Sequence, residues 1–284
     1  MPSRFLAILP PIALLGILCG PAAVTASPDV RLDVGVRYLY GDWRWGAFKM
    51  NSEAGMAGPQ ARLAILGGRW AMRVAYLTGD FAAVGAIPLD DPLYHSRKNY
   101  AVDDRRETFD GALEFRPLPA FGAALVYRFA RYEHTARIVL DSDQRAYGEG
   151  LESTIAESSA WGLAARSELP PVRGFRITGE LAWFPRVHTE SSGRFAYTMS
   201  QRADQLDERW YDRFSPTGLR GVAEVNYAFN ILPATLSAGY LYERFDDDEA
   251  LREDWLTDYL AGGAGRDLRQ DLLQGVTLRA GFRF

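Results

Sequence analysis

The last nine residues of the chain constrain its fold most. Val276, Leu278, Ala280, Phe282 and Phe284 share one parity, and the positions between them are Thr, Arg or Gly. A period of two is the pattern of a β-strand with one apolar face and one polar face. The sequence therefore predicts an amphipathic strand over residues 276–284, with an aromatic residue at its end.

Nine earlier segments show the same alternation. They begin near Val30, Ala61, Trp70, Phe109, Phe121, Trp161, Phe175, Leu219 and Leu236. Short turns and long polar stretches alternate strictly between the segments, and the expected long loops cover about 41–59, 80–105, 130–158, 184–216 and 246–271. An even number of strands, with a first strand able to pair with the last, abolishes free sheet edges. The predicted fold is all-β, a closed antiparallel transmembrane β-barrel of about ten strands.

The apolar parity of these segments carries no charged residue. An Arg or Lys that faces lipid costs roughly 2–4 kcal/mol at the bilayer midplane, which would keep such positions uncharged. A soluble β-sandwich also alternates, but it needs no aromatic residues at its strand ends. Aromatic residues are expected at one barrel border at Trp70, Phe115, Phe121, Phe175, Phe229 and Phe284, and at the other at Tyr40, Tyr76, Phe129, Trp161, Trp183 and Tyr242. Two aromatic borders favour the lipid-facing barrel.

The alternating strand that ends in Phe284 resembles the closing strand of Gram-negative outer-membrane β-barrels. The assembly machinery of those proteins reads a terminal Phe preceded by alternating apolar residues. The resemblance is to a class and not to one family. It implies an integral outer-membrane location, contact with membrane lipid and lipopolysaccharide, short periplasmic turns, long extracellular loops, and recognition by the barrel assembly machinery through Phe284.

Residues 1–26 have the pattern of a cleavable secretory signal. Arg4 gives a positive start, residues 5–18 are apolar but broken by two prolines, and Val24–Ala26 is a small-residue cleavage site. The apolar run is too short for a membrane helix. Removal would leave a barrel domain over 27–284 with 31 basic and 36 acidic residues, a net charge of −5, which argues against a nucleic-acid partner. It would also remove Cys19, the single cysteine, so no thiolate metal site, cofactor or disulfide is expected.

The opposite parity is expected to line the lumen, and it contains 11 basic and 7 acidic residues. They are Arg31, Asp33, Arg37, Arg62, Arg73, Asp110, Glu114, Arg116, Arg128, Arg166, Glu168, Arg176, Glu180, Arg220, Glu224, Glu243, Arg279 and Arg283. Small barrels have room only for their own side chains, which predicts an interior packed with Arg–carboxylate pairs. The alternative is a narrow porin-like channel in which excess arginine favours small anions.

The last long stretch combines an acidic cluster, Asp246–Glu249, with Leu251, Trp255 and Tyr259 at helical spacing. That spacing predicts a short amphipathic lid over the barrel mouth. The acidic cluster is a candidate for a divalent cation that bridges lipopolysaccharide phosphates, although its spacing does not match an EF-hand loop. A solvated acidic surface is the simpler expectation.

Catalytic signals are sparse, because neither Gly-x-Ser-x-Gly nor His-Glu-x-x-His occurs and His95, His134 and His188 fall in or beside expected loops. The second long loop carries Asp90-Asp91 and Asp103-Asp104, and the fourth begins His188-Thr-Glu190. This arrangement is similar to the omptin proteases, ten-stranded barrels that activate water between an acidic pair and an Asp–His pair at the rim. The resemblance implies His188, Glu190, Asp103 and Asp104 as catalytic residues of a rim hydrolase. The omptin pattern has Asp-x-Asp and Asp-x-His, whereas this chain has adjacent acids and His-x-Glu. The main expectation is therefore a non-enzymatic scaffold or narrow channel with acidic extracellular loops.

Overall fold

The computed structural model describes residues 30–45, 48–52, 55–88, 97–142, 145–199, 205–229, 231–246 and 271–284. The expected signal segment 1–26 lies outside the described residues. So do Asp90, Asp91 and His95, and so do Leu251, Trp255 and Tyr259 of the expected lid, together with most of the acidic cluster.

In the described ranges, twelve β-strands form a single antiparallel sheet. They are β1 (Arg31–Trp45), β2 (Phe48–Ser52), β3 (Met56–Ile65), β4 (Trp70–Pro88), β5 (Arg97–Leu118), β6 (Phe121–Ser142), β7 (Arg145–Glu168), β8 (Phe175–Met199), β9 (Gln205–Phe214), β10 (Thr217–Ala228), β11 (Ala234–Asp246) and β12 (Asp271–Arg283). A short 3₁₀ turn at Leu66–Gly68 joins β3 to β4. Within the described ranges, no helix is long and apolar enough to cross a membrane.

The sheet closes on itself with ten strand positions around the barrel. Strands β2 and β3 share one position between β1 and β4, and β9 and β10 share one beside β8. The last strand, β12, pairs antiparallel with β1 from Asp33↔Arg283 to Trp45↔Asp271. The predicted closed antiparallel barrel of about ten strands is confirmed.

The closing seam between β1 and β12 depends on a pair of facing glycines. Gly41 lies opposite Gly275 in the register. A Cβ on Gly41 would lie 2.0 Å from the carbonyl oxygen of Gln274, and one on Gly275 would lie 2.4 Å from that of Tyr40. Since both atoms belong to the backbone, neither can move aside without displacing a strand. The absence of a side chain at these positions therefore allows β1 and β12 to approach.

Apolar side chains cover the outer surface of the half of the barrel next to the short turns, which we call the lower half, as the alternation predicts. Leu163 is exposed on β7, whereas its neighbours Gly162 and Ala164 are buried and face inward. We call this surface the apolar belt. It comprises the outward residues of 30–40, 57–65, 70–76, 109–115, 121–129, 161–169, 175–183, 219–229, 236–242 and 276–284. About nine residues per strand, at about 3.4 Å each and a tilt near 40°, give a band of roughly 23 Å, close to the height of the apolar band in membrane barrels.

Outward aromatic and charged residues mark the borders of the apolar belt. Trp70 and Phe115 lie 4.7 Å apart, centroid to centroid, at the border near the short turns. Glu107, Arg131 and Glu157 face one another on adjacent strands just above the opposite border. Since charged groups avoid the lipid interior, this charged row sets the upper limit of the membrane-facing surface.

The strands continue far above the apolar belt, so the expected long loops at 80–105, 130–158 and 184–216 are largely strand. β5 and β6 have 22 residues each, β7 has 24 and β8 has 25. The physical reason is that inward residues such as Val102, Ala136 and Ile138 stay apolar there and pack inside the barrel. Consequently His134 lies within β6 and His188 within β8, and neither lies in a loop.

A bulge at Pro185 reverses which parity of β8 faces inward. Trp161 pairs with Arg186 while Leu163 pairs with Trp183, so β8 has an extra residue between these pairs. Below the bulge the even-numbered residue Ala182 is buried, and above it the odd-numbered Val187 is buried. Beyond the bulge, even-numbered side chains therefore face outward, whereas a continuous alternation would have turned them inward.

Candidate functional site

The upper half of the barrel interior is filled by an apolar cluster, which we call the plug. Its members are Leu39, Trp43, Met56, Leu77, Phe81, Val102, Ala130, Tyr132, Ala136, Ile138, Ala156, Leu241 and Leu273. The Trp43 ring lies 5.3 Å from the ring of Phe81 and 5.3 Å from that of Tyr132, centroid to centroid. Because these side chains come from strands on opposite sides of the barrel, the plug closes the bore at this level.

Arg106 is the one buried cation inside the plug among the described residues, and two carboxylates neutralise it. Its Nη1 donates to Oδ1 of Asp271 at 2.7 Å and its Nη2 donates to Oε1 of Glu243 at 2.7 Å. The guanidinium carbon lies 5.0 Å from the Trp43 ring and 4.9 Å from the Tyr132 ring. Asp271 also accepts hydrogen bonds from Trp43 Nε1 and Tyr132 Oη, each at 2.7 Å. The network ties β5 to β11 and β12 across the bore.

A second layer of ion pairs crosses the bore below the plug. Arg128 on β6 hydrogen-bonds to Glu243 on β11. Arg220 on β10 donates to Oδ1 of Asp110 on β5 at 2.7 Å, and its guanidinium lies 5.7 Å from the ring centroid of Phe184. These cations are nearly buried and carry carboxylate partners, as charges removed from water require. The middle of the barrel is therefore filled by paired side chains.

Below the ion pairs lies a cavity of about 630 Å³. Its wall includes Gly67–Arg69, Pro117–Pro119 and Gly174, which belong to the short turns, so its mouth opens at the short-turn end of the barrel. Eleven arginines line it: Arg31, Arg37, Arg62, Arg69, Arg73, Arg116, Arg166, Arg176, Arg220, Arg279 and Arg283. Its wall carboxylates are Asp33, Asp110, Glu168, Glu180 and Glu224. This space, which we call the arginine cavity, is strongly electropositive.

Each carboxylate around the arginine cavity serves several arginines. Asp33 lies 3.7 Å from Arg62 and 3.1 Å from Arg283. Glu224 is similarly shared, at 3.5 Å from Arg37 and 3.4 Å from Arg279. The carboxylates thus hold the arginines apart and in place but do not neutralise them one for one.

Buried Glu114 stands behind the cavity wall and is shared most widely. It is hydrogen-bonded to Arg116, and it lies 3.7 Å from Arg73 and 3.4 Å from Arg166. With Glu114 included, six carboxylates face eleven guanidinium groups. The lower half of the interior therefore has an excess of five positive charges.

The eighteen charged residues expected to line the lumen divide between these layers. Fifteen of them are in the wall of the arginine cavity. Glu114 lies behind that wall, and Arg128 and Glu243 form the buried pair above it. Arg106 and Asp271 were not among the expected lumen residues, because Arg106 lies between the expected loop 80–105 and the strand expected to begin near Phe109, and Asp271 ends the expected loop 246–271. The continued inward parity of β5 and β12 was the available signal for them.

A buried Asp–His pair lies in the upper half of the barrel, above the charged row that limits the apolar belt. Nδ1 of His134 lies 2.7 Å from Oδ1 of Asp104, and the amide of Thr135 donates to the same oxygen at 3.2 Å. Burial raises the pKa of Asp104, and the bond to His134 opposes this only in part. Asp103, the next residue, is exposed on the outer face. Asp103 and Asp104 therefore point to opposite sides of β5.

His188 and Glu190 form a separate pair on the outer surface. His188 Nε2 lies 3.2 Å from Oε1 of Glu190, the His188 side chain is 58% exposed, and Arg213 lies 3.1 Å from the same oxygen. The hydrogen bond from His188 lowers the pKa of Glu190. β8 is three strand positions from β5, or roughly 15 Å at the usual strand spacing. The structure therefore does not bring His188 and Glu190 together with Asp103 and Asp104.

A metal centre is likewise not formed by the residues that the structure describes. No group of three or more His, Cys, Asp or Glu side chains among them is arranged to hold a metal ion. Most of the acidic cluster at Asp246–Glu249 lies outside that part of the chain.

No protein-family model and no curated protein matches the sequence. Solved structures do resemble it. The outer membrane protease OmpT from Escherichia coli is 11% identical over 90% of this chain and 96% of its own, with a TM-score of 0.49. The P. putida toluene transporter TodX is 8% identical over 91% and 90% of the two chains, with a TM-score of 0.44. The translocator domain of the autotransporter NalP from Neisseria meningitidis is 10% identical over 96% of this chain and 95% of its own, with a TM-score of 0.40.

The closed antiparallel barrel and its apolar belt define the class: the chain is a β-barrel of the outer-membrane type. It is not assigned to a specific family, and at such low identity the likeness to solved structures concerns the fold alone.

Proposed function

We propose that the protein is an integral outer-membrane barrel with a closed bore, which acts as a non-enzymatic scaffold and not as a channel. The observation that carries this proposal is the crossing of the bore at two levels. The plug around Trp43 closes the upper level, and the Arg128–Glu243 and Arg220–Asp110 pairs cross the level below it. A solute moving along the axis would have to break buried ion pairs and displace packed aromatic rings.

The scaffold presents a tall wall of strands above the membrane. β7 continues about fifteen residues above the apolar belt, a height of roughly 40 Å at the usual rise and tilt. Its outer face combines charged and apolar residues: Glu149 lies 3.6 Å from Arg137 of β6, and Leu151 and Ile155 are exposed. In the proposed orientation this wall is extracellular, the short turns are periplasmic, and membrane lipid and lipopolysaccharide surround the apolar belt.

Conductance measurements test the closed bore. Folded protein inserted into planar bilayers should give no steps above the lipid background, and liposomes containing it should not leak small ions. Insertion is verified by the different gel migration of boiled and unboiled samples. Regular steps that scale with the amount of folded protein, and that vanish after boiling, would establish the channel instead.

The barrel assembly machinery is the proposed partner of Phe284. This residue is exposed at the lower border, and its backbone exchanges hydrogen bonds with Leu32 at 2.8 and 3.1 Å. Phe284→Ala should lower the amount assembled in the outer membrane without preventing refolding in detergent. Phe115→Ala, a change of the same size at the same border, is the matched control. An equal loss for both variants in cells would contradict this partnership.

Hydrolysis at the barrel rim is not supported by the geometry, because His188 and Glu190 lie apart from Asp103 and Asp104. His188→Ala is expected to leave any peptide- or lipid-cleaving activity of the purified barrel unchanged.

A further inference from the structure

We propose that the arginine cavity is a binding site for a small polyanion that carries several phosphate or carboxylate groups. The ligand would enter through the mouth at the short-turn end, which is the periplasmic end in the proposed orientation. Binding itself does not depend on that orientation or on the scaffold role, because it follows from the charge, the donors and the shape of the cavity.

The first argument is charge. Eleven guanidinium groups share six carboxylates in this part of the barrel. Arg31 and Arg69, both at the mouth, have no ion-pair partner among the described residues. Five uncompensated positive charges in an enclosed space, with low-dielectric walls, focus the potential inside it. The uncompensated guanidinium groups repel one another. One multiply charged anion would neutralise several of them, whereas one chloride would neutralise only one.

The second argument is hydrogen bonding. A guanidinium has five N–H donors, and buried donors are normally matched with acceptors. In the plug both terminal nitrogens of Arg106 reach carboxylates, and its Nε is the one donor of that side chain without a partner in the described part of the chain. In the cavity wall, Nε of Arg62 and Nε of Arg37 make no hydrogen bond in the described part of the chain, and Nη2 of Arg37 has only a long ion-pair contact of 3.5 Å to Glu224. Oxyanions accept several hydrogen bonds at once and fit the guanidinium fork, so they suit this donor-rich wall.

The third argument is shape. A volume of about 630 Å³ lies within the usual range of small-molecule sites, roughly 300–1,000 Å³. The cavity is open at the turns and is closed inward by the Arg220–Asp110 and Arg73–Glu180 pairs, so it ends blindly. A blind electropositive cavity retains an anion and does not pass it on.

The test uses two cavity arginines that can be neutralised without stranding a carboxylate. Replacing Arg62 leaves Asp33 paired with Arg283, and replacing Arg166 leaves Glu114 with its other arginines. The double variant Arg62→Gln/Arg166→Gln is therefore expected to fold. Its control, Arg105→Gln/Arg137→Gln, makes the same change of charge on the exposed outer wall.

Titration calorimetry on folded protein in zwitterionic micelles uses tripolyphosphate and citrate as probes. At least one probe should bind wild type at one site. Its affinity should fall about tenfold or more in the cavity variant, less than twofold in the control, and further as salt is raised. Preference for tripolyphosphate or for citrate identifies the phosphate or the carboxylate as the group recognised.

Three results would overturn the proposal: no saturable binding of either anion to wild type, an equal loss in both double variants, or no loss in the cavity variant. If the double variant does not show the gel shift of a folded barrel, the single variant Arg166→Gln decides by the same criteria. Conductance in bilayers would refute the closed bore but not this site, so the two proposals fail independently.

Discussion

Arg106 on β5 and Asp271 at the start of β12 are joined across the barrel by a hydrogen bond of 2.7 Å, although 165 positions separate them in the sequence. Arg106 is fully buried, and Asp271 is nearly so. The two carboxylate partners and two aromatic neighbours of Arg106 replace the water that its guanidinium loses. The pair fixes the beginning of the closing strand against the middle of the chain.

Arg106→Met should lower the free energy of unfolding by about 3–5 kcal/mol, because it leaves the buried carboxylate of Asp271 without its cation. Adding Asp271→Asn should restore part of this loss, since the amide carries no charge. Urea unfolding in lipid vesicles, followed by tryptophan fluorescence, measures both.

Arg131→Met is the matched control for this change. Arg131 is 38% exposed on the outer face and pairs with Glu133 and Glu157. Exposed pairs contribute about 1 kcal/mol or less. A cost for Arg106→Met no larger than that of Arg131→Met would show that the buried network does not stabilise the barrel.

The barrel was predictable because contact with lipid requires one set of alternate residues to be apolar, while the other set can be charged. Leu278 and Phe282 stand beside Arg279 and Arg283, and such contrast defines both faces of a strand from the sequence. Above the apolar belt the contrast weakens, since inward residues there include small ones such as Ala136 and outward ones face water. The strand extensions therefore resemble loops in the sequence.

The pairing of charges within the lumen could not be predicted. Parity places Arg73 inside the barrel, but its contact with Glu180 depends on the width of the barrel and on the stagger of β4 against β8. The bulge at Pro185 is equally local, and it redirects His188 outward. The sequence thus indicated which charges face inward but not that they form two layers with a cavity below them.

Leu125→Arg should test where the membrane lies. Leu125 is at the middle of the apolar belt on β6, so an arginine there faces the bilayer midplane and should cost roughly 2–4 kcal/mol. Leu151 on β7 is exposed to a similar degree but lies above the belt, where an arginine meets water. Leu151→Arg should therefore change the free energy of unfolding by less than about 0.5 kcal/mol. Equal costs in lipid vesicles would contradict the position of the belt.

Gly275→Ala should weaken the closing seam, because its Cβ would lie 2.4 Å from the Tyr40 carbonyl oxygen and would force β12 away from β1. We expect a lower yield of the folded, gel-shifted form and a lower urea midpoint. Gly221→Ala on β10 is the control, since a Cβ there meets nothing within 4 Å. Indistinguishable yields and midpoints for the two variants would show that the seam accommodates a side chain.

Asp104→Asn should change how stability depends on pH. Asp104 lies above the charged row that limits the apolar belt, and burial raises its pKa in the folded barrel. A folded-state pKa above the unfolded value, near 4, means that the proton is held more tightly in the folded state. The stability contributed by Asp104 is therefore fully present below about pH 4 and is lost as pH rises through the raised pKa.

Asparagine has no carboxyl proton to lose, and its side-chain oxygen can still accept the hydrogen bond from His134. The stability of Asp104→Asn relative to wild type should therefore increase as pH rises from about 4, by about 1.4 kcal/mol for each unit by which the folded-state pKa exceeds the unfolded one. Urea midpoints between about pH 3.5 and 7 measure this difference. Asp103→Asn, at an exposed carboxylate on the opposite face of β5, should follow the wild-type profile. If Asp104→Asn also follows it, the carboxyl of Asp104 does not titrate in the way that its burial implies.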